Sequence, residues 1–325
     1  MTKKNEGHAQ KTRIMHLRLQ KLWKGSLQNH LRYIDKSTGL FSKKYTEERD
    51  CPSCKSSSYR VLFNKSGGTY VACSDCDGVY LNPVFKDEVL EEYYRKNHTL
   101  QGEMVSEEKE FFIKTYIKGL QLIQEANKNK GNILDVGCSV GIFLDLAKKN
   151  LWDCYGLELN TKEASIAKSK GHKVQNDLIS NAKLDIKFDV ITLWDVFEHI
   201  KDGIKFIEEI KQYLNRDGII FIQAPTRDAL AAKILQAECN MFDGLEHCNL
   251  YGINSLNKIC NATGLEIVSF ETIISEIGVM NNYLNYENPY IGKTQNSTDI
   301  MNGINEEWIN NNKLGYKFQT CLRLK

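Results

Sequence analysis

The sequence predicts an α/β protein with a mostly parallel sheet covered by helices on both faces, preceded by a small four-cysteine module. Three observations predict it. Short β-rich runs alternate with helical stretches from Asn132 onward, a glycine loop joins the first of these runs to a helix, and four upstream cysteines stand in two C-x2-C pairs. At 325 residues the chain has room for about two domains, and its 42% hydrophobic content suits a globular core.

The first fifty residues carry twelve Lys or Arg against five Asp or Glu, so a formal net charge of +2 hides a basic arm (1–50) on a slightly acidic body. Ile14, Leu17, Leu22, Trp23 and Leu27 give the arm a weak helical amphipathicity, and a looser segment runs through Ser37-Thr38-Gly39; the arm reads as an appendage. No run of about eighteen apolar residues is long enough to span a bilayer, and Met1-Thr2-Lys3-Lys4-Asn5-Glu6 lacks the apolar stretch of a secretory signal, so a cytoplasmic protein is expected.

Residues 51–85 form the cysteine module. β-type alternation at Tyr59, Val61 and Phe63, and again at Tyr70, Val71 and Ala72, flanks the turn Ser66-Gly67-Gly68 and predicts a hairpin with cysteines at both ends. Residues 86–130 are read as a helical linker, with Phe112, Tyr116, Leu120 and Ile123 at helical spacing. The main domain, 131–325, follows. Strands are expected at Ile133–Val136, Cys154–Leu157, Lys173–Gln175, Phe188–Leu193 and Ile219–Ala224, with helices near Ile142–Asn150, Lys162–Lys170 and Ile204–Leu214. After Pro225 come a helical stretch to about Ala237, a loop around Gly244, a helix at Ile253–Thr263 and a strand at Leu265–Ile274. The Asn-rich segment 281–313 reads as loop or partial helix, and Tyr316–Leu324 alternates as a terminal strand.

The run Asn132-Ile133-Leu134 leads into Asp135-Val136-Gly137-Cys138-Ser139-Val140-Gly141 before the helix. Glycines there permit positive φ and close backbone approach to a ligand, and the helix N-terminus offers free N–H groups. Only Gly137 and Gly141 are present, four apart, so the three-glycine dinucleotide fingerprint is poorly matched. Asp135 suits a cation, Glu158 stands where a carboxylate takes two ribose hydroxyls, and Asp177 follows the third strand where it can accept from an adenine amino group. With Cys138, Ser139, Trp194 and Asp195, these are the candidate cofactor-binding residues.

These residues resemble the class I S-adenosylmethionine (SAM)-dependent methyltransferases: Ile133–Gly141 for the first motif, Gly156-Leu157-Glu158 for the second, and Phe188–Ile200 for the fourth. The resemblance covers roughly residues 130–275 and implies SAM as cofactor and a Rossmann-like fold, a mostly parallel seven-stranded sheet with helices on both faces.

Cys51, Cys54, Cys73 and Cys76 form C-x2-C-x18-C-x2-C, inside zinc-ribbon spacing. Four thiolates fill the coordination sphere of Zn²⁺ and leave no position for water, so the ion would be structural. Four unligated core thiols or an iron–sulfur cluster are the alternatives.

Two Glu-His pairs follow strands, Glu198-His199 and Glu246-His247. Histidine is the side chain whose charge changes near neutral pH, so each pair is a candidate for removing a proton from an acceptor. The expected catalytic set is His247 as base, assisted by Glu246 or His199. The Glu246 segment resembles the Glu-His-x-x-x-Tyr/Phe stretch of sugar methyltransferases, whose assisting Tyr falls at Gly244 here. Ribbon, Leu81-Asn82-Pro83 and catalytic domain together resemble methyltransferases of bacterial surface-polysaccharide and deoxysugar pathways, which implies a sugar-nucleotide or glycan acceptor. An RNA methyltransferase gripping phosphate with arm and ribbon is disfavoured, without being excluded, by the confinement of basic charge to the arm. A non-catalytic SAM-binding or zinc-ribbon interaction protein is the alternative of another class.

Overall fold

The computed structural model describes residues 31–96, 109–128, 130–285, 301 and 303–325. The amphipathic stretch expected at Ile14–Leu27 and much of the Asn-rich segment lie outside the described residues.

The N-terminal part contains β1 (Thr46–Glu47), β2 (Tyr59–Lys65), β3 (Gly68–Cys73), β4 (Val79–Leu81) and β5 (Val84–Phe85). β2 and β3 pair antiparallel as far as Lys65↔Gly68, leaving Ser66 (φ 49°) and Gly67 (φ 95°) as a two-residue turn whose positive φ values match the twist of the flanking strands. Two helices follow, α1 (Asp87–Lys96) and α2 (Lys109–Ala126).

From Asn132 the elements alternate: β6 (Asn132–Val136), α3 (Ile142–Lys149), β7 (Asp153–Leu157), α4 (Thr161–Ser169), β8 (Lys173–Gln175), β9 (Phe188–Trp194), α5 (Gly203–Lys211) and β10 (Leu214–Pro225). Then come α6 (Leu230–Leu235), β11 (Asn249–Leu250), α7 (Ile253–Thr263), β12 (Leu265–Ile273), α8 (Ile277–Asn285), α9 (Glu306–Asn311) and β13 (Lys317–Leu324). Seven of these strands form one sheet in the order β12-β13-β10-β9-β6-β7-β8, parallel except for β13, which runs against both of its neighbours. Continuous apolar runs explain the parallel centre, because such strands are buried on both faces. Ile133, Val190, Ile219 and Phe221 meet α2, α3 and α4 on one face, while Leu134, Ile191, Ile220 and Ile222 meet α5 and α7 on the other. The chain runs outward from β6 to β7 and β8, then returns to place β9 on the other side of β6. Ligands bind in the crevice outside the carboxyl ends of strands at such a reversal.

Three local differences from the sequence reading have physical causes. The fifth helix stops at Lys211, and β10 starts at Leu214 rather than Ile219, with a register shift between those two residues. The helix expected from Pro225 begins only at Leu230, because Thr226 is held extended: its N–H donates to the Tyr316 carbonyl and its hydroxyl to the Tyr251 carbonyl. The described part of the arm, expected as an appendage, is packed into the body. Tyr33 and Phe41 are buried with Phe85, Leu90, Tyr93 and Leu245, and β1 pairs with β5.

The cysteine hairpin is likewise joined to the main domain. It forms a four-stranded sheet, β11-β4-β3-β2, in which β11 comes from the segment just after the second Glu-His pair. Arg49 fixes this joint: its Nε donates to the Leu81 carbonyl at 3.1 Å, Nη1 to Lys201 at 2.6 Å, and Nη2 to Cys248 at 2.8 Å. Gly244 (φ 88°) lies against the hairpin turn, and a Cβ there would stand 2.1 Å from the Lys65 carbonyl oxygen. Gly244→Ala is therefore expected to destabilise the protein by about 3 kcal/mol, an overpacking and strain cost, read as a lowered thermal midpoint. A midpoint equal to that of the native protein would contradict the packing described.

Candidate active site

The glycine loop leaves β6 at the reversal point. Gly137 (φ 80°), Ser139 (φ 48°) and Gly141 (φ 79°) all take left-handed backbone, and the Gly137 and Cys138 N–H groups donate to the Leu157 carbonyl. A Cβ on Gly137 would stand 2.6 Å from Val196, so the residue after Asp195 presses directly on the loop. Glu158 ties the loop to β7: its carboxylate accepts from Ser139 N–H at 2.9 Å and from Asn160 N–H at 2.7 Å.

Asp135 is buried and accepts from the Thr192 hydroxyl at 2.7 Å. Burial pushes its carboxyl up to about 8, with the Glu158 charge adding to the shift and the Thr192 hydrogen bond opposing it. Burial also raises Glu158. Asp195 (φ 54°) accepts at Oδ2 from Lys317 at 2.6 Å and Gln223 at 3.0 Å, while its buried Oδ1 has no partner among the described residues. The buried Ser139 hydroxyl also lacks one. Three acidic groups, with Lys317 paired to Asp195, and two orphaned polar atoms suit a ligand that is cationic and rich in hydrogen-bonding groups. SAM fits: its amino group and sulfonium are cations, and its ribose presents two hydroxyls to a carboxylate.

The other expected cofactor residues are placed unequally. Asp177 lies one residue beyond Asn176, whose amide donates to the Glu158 carbonyl, and it caps its own turn by accepting from Leu178 N–H and Asn181. The Cys138 side chain turns into the core, where a Cβ on Gly156 would meet its sulfur at 2.6 Å; only its backbone faces the loop. Trp194 is 7% exposed and packs with Tyr116, Phe143 and Phe221 at centroid distances of 4.7, 4.9 and 4.5 Å. Tyr116, unassigned from sequence, faces the site as well: burial, then the Asp135 and Asp195 charges, drive its phenol upward.

For Asp135 the sign of the pH effect follows from its shift. A folded value of about 8 against the ordinary 3.8 means that its contribution is present at low pH and lost as pH rises through about 8. Stability of the ligand-free protein to denaturant is expected to fall between pH 5 and 8, and Asp135→Asn to flatten that fall. An unchanged slope in the variant would contradict the burial of a carboxyl that has only the Thr192 hydroxyl to offset its desolvation.

The second Glu-His pair is brought to the first. His199 and His247 have ring centroids 5.0 Å apart, and both stand beside Glu198, which is 0% exposed in the turn following β9. His199 Nδ1 lies 3.0 Å from the Glu246 carbonyl and 3.1 Å from the Tyr94 hydroxyl, and His247 Nδ1 lies 2.8 Å from the Met241 carbonyl. Burial, then the neighbouring His247, hold His199 down at about 4. For His247 burial opposes the charged form, but the carboxylates of Asp243, Glu198 and Glu246 outweigh it, so its value is raised. The Glu246 carboxylate accepts from the Tyr93 hydroxyl. The Asp243 carboxylate stands 4.0 Å from His247 Nδ1 and also accepts the N–H groups of Leu245, Glu246 and His247, and so shapes the loop.

The ribbon holds this loop from outside. Tyr70 on β3 donates to the His247 carbonyl at 3.0 Å and accepts from Gly244 N–H at 3.1 Å. Its four cysteine sulfurs lie within 4.8 Å of one another, with Cys51–Cys76 at 3.6 Å and Cys54–Cys73 at 3.5 Å. Tetrahedral Zn–S bonds of about 2.3 Å place sulfurs about 3.8 Å apart, so the cluster fits a small zinc module.

Parallel sheet, glycine loop and carboxylates define a class I SAM-dependent methyltransferase domain. The chain belongs to the family described as "Methyltransferase domain", which matches residues 108–270. A 120-residue stretch is 29% identical to the ubiquinone biosynthesis O-methyltransferase of Actinobacillus pleuropneumoniae, covering 32% of this chain and 50% of that one. Another, of 99 residues, is 32% identical to the norajmaline N-methyltransferase of Rauvolfia serpentina, covering 27% of this chain and 34% of the relative. The solved plantazolicin methyltransferase in complex with SAH aligns with a TM-score of 0.49 at 16% identity, over 73% of this chain and 94% of that one. The chain spans about half the length, or less, of these curated relatives. Among the described residues no helix is long and apolar enough to cross a membrane.

Proposed function

We propose that the protein transfers the methyl group of SAM to a hydroxyl of a sugar nucleotide or glycan. The observation that carries this reading is the meeting of Glu198 and His199, in the turn after β9, with His247, just beyond the Val196 that presses on the glycine loop. When bound, SAM supplies a methyl carried on a sulfonium, and transfer to oxygen sends the S–C bonding pair to sulfur and leaves S-adenosylhomocysteine. Asp135, Glu158 and Asp195, with the loop of Gly137, Ser139 and Gly141, hold the cofactor; Asp177 is placed to meet its adenine. His247 faces the acceptor, with Met241 fixing its Nδ1 proton so that Nε2 accepts the proton the hydroxyl loses. His199 and the Tyr93-bound Glu246 position that histidine.

The sugar-nucleotide class draws support from a cavity of about 340 Å³ where the ribbon meets residues 227–242, lined by Arg60, Arg227 and Lys233 beside Val61, Phe63 and Phe242. Three cations next to an apolar wall suit the phosphates and base of a nucleotide. Methyl transfer from SAM to a panel of sugar nucleotides tests this, and transfer to none of them while catechols or phenols are methylated would overturn the acceptor class.

Zinc held by Cys51, Cys54, Cys73 and Cys76 keeps the ribbon folded and, through Tyr70, keeps the His247 loop in place. Chelation is expected to abolish turnover before it weakens S-adenosylhomocysteine binding, because Tyr70 of the ribbon bonds the His247 loop whereas the glycine loop is tied to Leu157 and Glu158. Loss of both together, or a purified protein without zinc, would contradict this role.

A further inference from the structure

Glu198 is buried where no protein group satisfies it. Neither carboxylate oxygen has a hydrogen-bond partner among the described residues. Protonation does not resolve the deficit, since the O–H of the acid would lack an acceptor too, and a buried polar group left in that state is costly. Beside it, His199 and His247 each direct Nδ1 at a main-chain carbonyl, Glu246 at 3.0 Å and Met241 at 2.8 Å. A carbonyl can only accept, and the Tyr94 hydroxyl 3.1 Å from His199 Nδ1 can accept too, so a proton on Nδ1 satisfies these contacts on both rings and leaves Nε2 the lone pair. A ring N–H anchored to a carbonyl is the usual support of a metal-ligating histidine. One ligand-capable atom from each of the three side chains lies within 4.8 Å of the other two.

We propose that Glu198, His199 and His247 bind a divalent first-row transition-metal ion, as a second metal site apart from the cysteine module. The donor set decides the class of ion: two imidazoles and one carboxylate suit zinc, manganese or iron(II), whereas calcium and magnesium favour all-oxygen sites. Three protein ligands leave a coordination position open, as in catalytic rather than structural sites. The His247 side chain is 21% exposed, so the cluster is not sealed from solvent on every side. The ion supplies positive charge beside Glu198, whose neighbourhood is made more negative by Asp195. This rests on the hydroxyl-acceptor reading and sharpens it: with the ion in place His247 is a ligand, and positive charge beside the acceptor oxygen does the work otherwise given to the imidazole.

Metal content and titration test the site without recourse to activity. After equilibration with zinc and desalting, the native protein is expected to hold two zinc ions per chain, and the Glu198→Gln and His247→Ala proteins one, in the four-cysteine cluster. Manganese(II), which a four-thiolate site takes poorly, is expected to lose its free electron-paramagnetic signal at least ~10-fold more readily on titration with native protein brought by a mild chelator to the single cysteine-bound zinc than with Glu198→Gln treated alike. One zinc per chain in the native protein, or manganese titrations identical in native and variant, would overturn the proposal. Calorimetry with S-adenosylhomocysteine on the same samples separates the two readings. Unchanged binding alongside a single zinc removes only the second metal, whereas absence of binding by the native protein removes the methyltransferase reading beneath it.

Discussion

His247→Ala is expected to lower the rate of methyl transfer ~10²–10⁴-fold while leaving the affinity for SAM unchanged, the range that loss of a general base gives. The two effects separate because of where the side chain stands. His247 lies on the loop that Asp243 and Tyr70 shape, while the proposed cofactor residues stand on β6, β7, the glycine loop and, at Asp195, the end of β9. The loss is expected whether the imidazole takes the proton itself or holds an ion that favours its departure. Single-turnover rates and equilibrium binding, measured on one preparation, check it. Turnover at the native rate would move acceptor activation away from the histidine pair, and a parallel loss of SAM affinity would mean that the substitution had disturbed the loop fold instead. With the imidazole as base, the raised value of His247 gives the rate a pH signature: activity falls as pH drops through a value above the ordinary 6.5, because the protonated ring cannot accept a proton.

Glu158→Ala is expected to weaken SAM and S-adenosylhomocysteine ~10²-fold. Two charge-assisted hydrogen bonds to ribose would be lost, each worth about 1.5–3 kcal/mol, with part of that returned by water. The carboxylate also orders the loop, since it already accepts from Ser139 and Asn160. The more conservative Glu158→Gln keeps one acceptor oxygen and is expected to fall between the two. Unchanged affinity in the alanine variant would show that the cofactor does not sit at the end of β7.

The parallel sheet was legible because its strands are short, nearly continuous apolar runs, as in Val190–Leu193 and Ile219–Ile222, which only a sheet covered on both faces can bury. Asp135, the loop glycines and Glu158 were legible because their chemistry is local: a strand end, a turn and a helix start within a few residues. The four cysteines announce themselves by spacing. The acceptor side was only half legible. Both Glu-His pairs stand out, yet their meeting depends on a long-range fold, and nothing in the local pattern says that Glu198 would be buried without a partner. Tyr93 and Tyr94 fall in what reads as a linker, although α1 delivers them to Glu246 and His199. Arg49 lies at the end of a segment that reads as an appendage, next to Asp50, although its guanidinium joins three separate stretches of chain. A two-residue strand such as β11 is too short for periodicity to mark, so the merging of the ribbon with the main domain was hidden. Gly244 looks like a loss of the Tyr found in sugar methyltransferases. The backbone of Lys65 packed against it supplies a physical reason why no side chain stands there.

The measurement that bears most directly on the account is calorimetric titration of the zinc-loaded protein with SAM and with S-adenosylhomocysteine. Micromolar binding of both, at one site per chain and weakened in the Glu158→Ala protein, is the expected result. A folded, zinc-loaded sample that binds neither would contradict the assignment of the glycine loop and its carboxylates, and with it the proposal of methyl transfer.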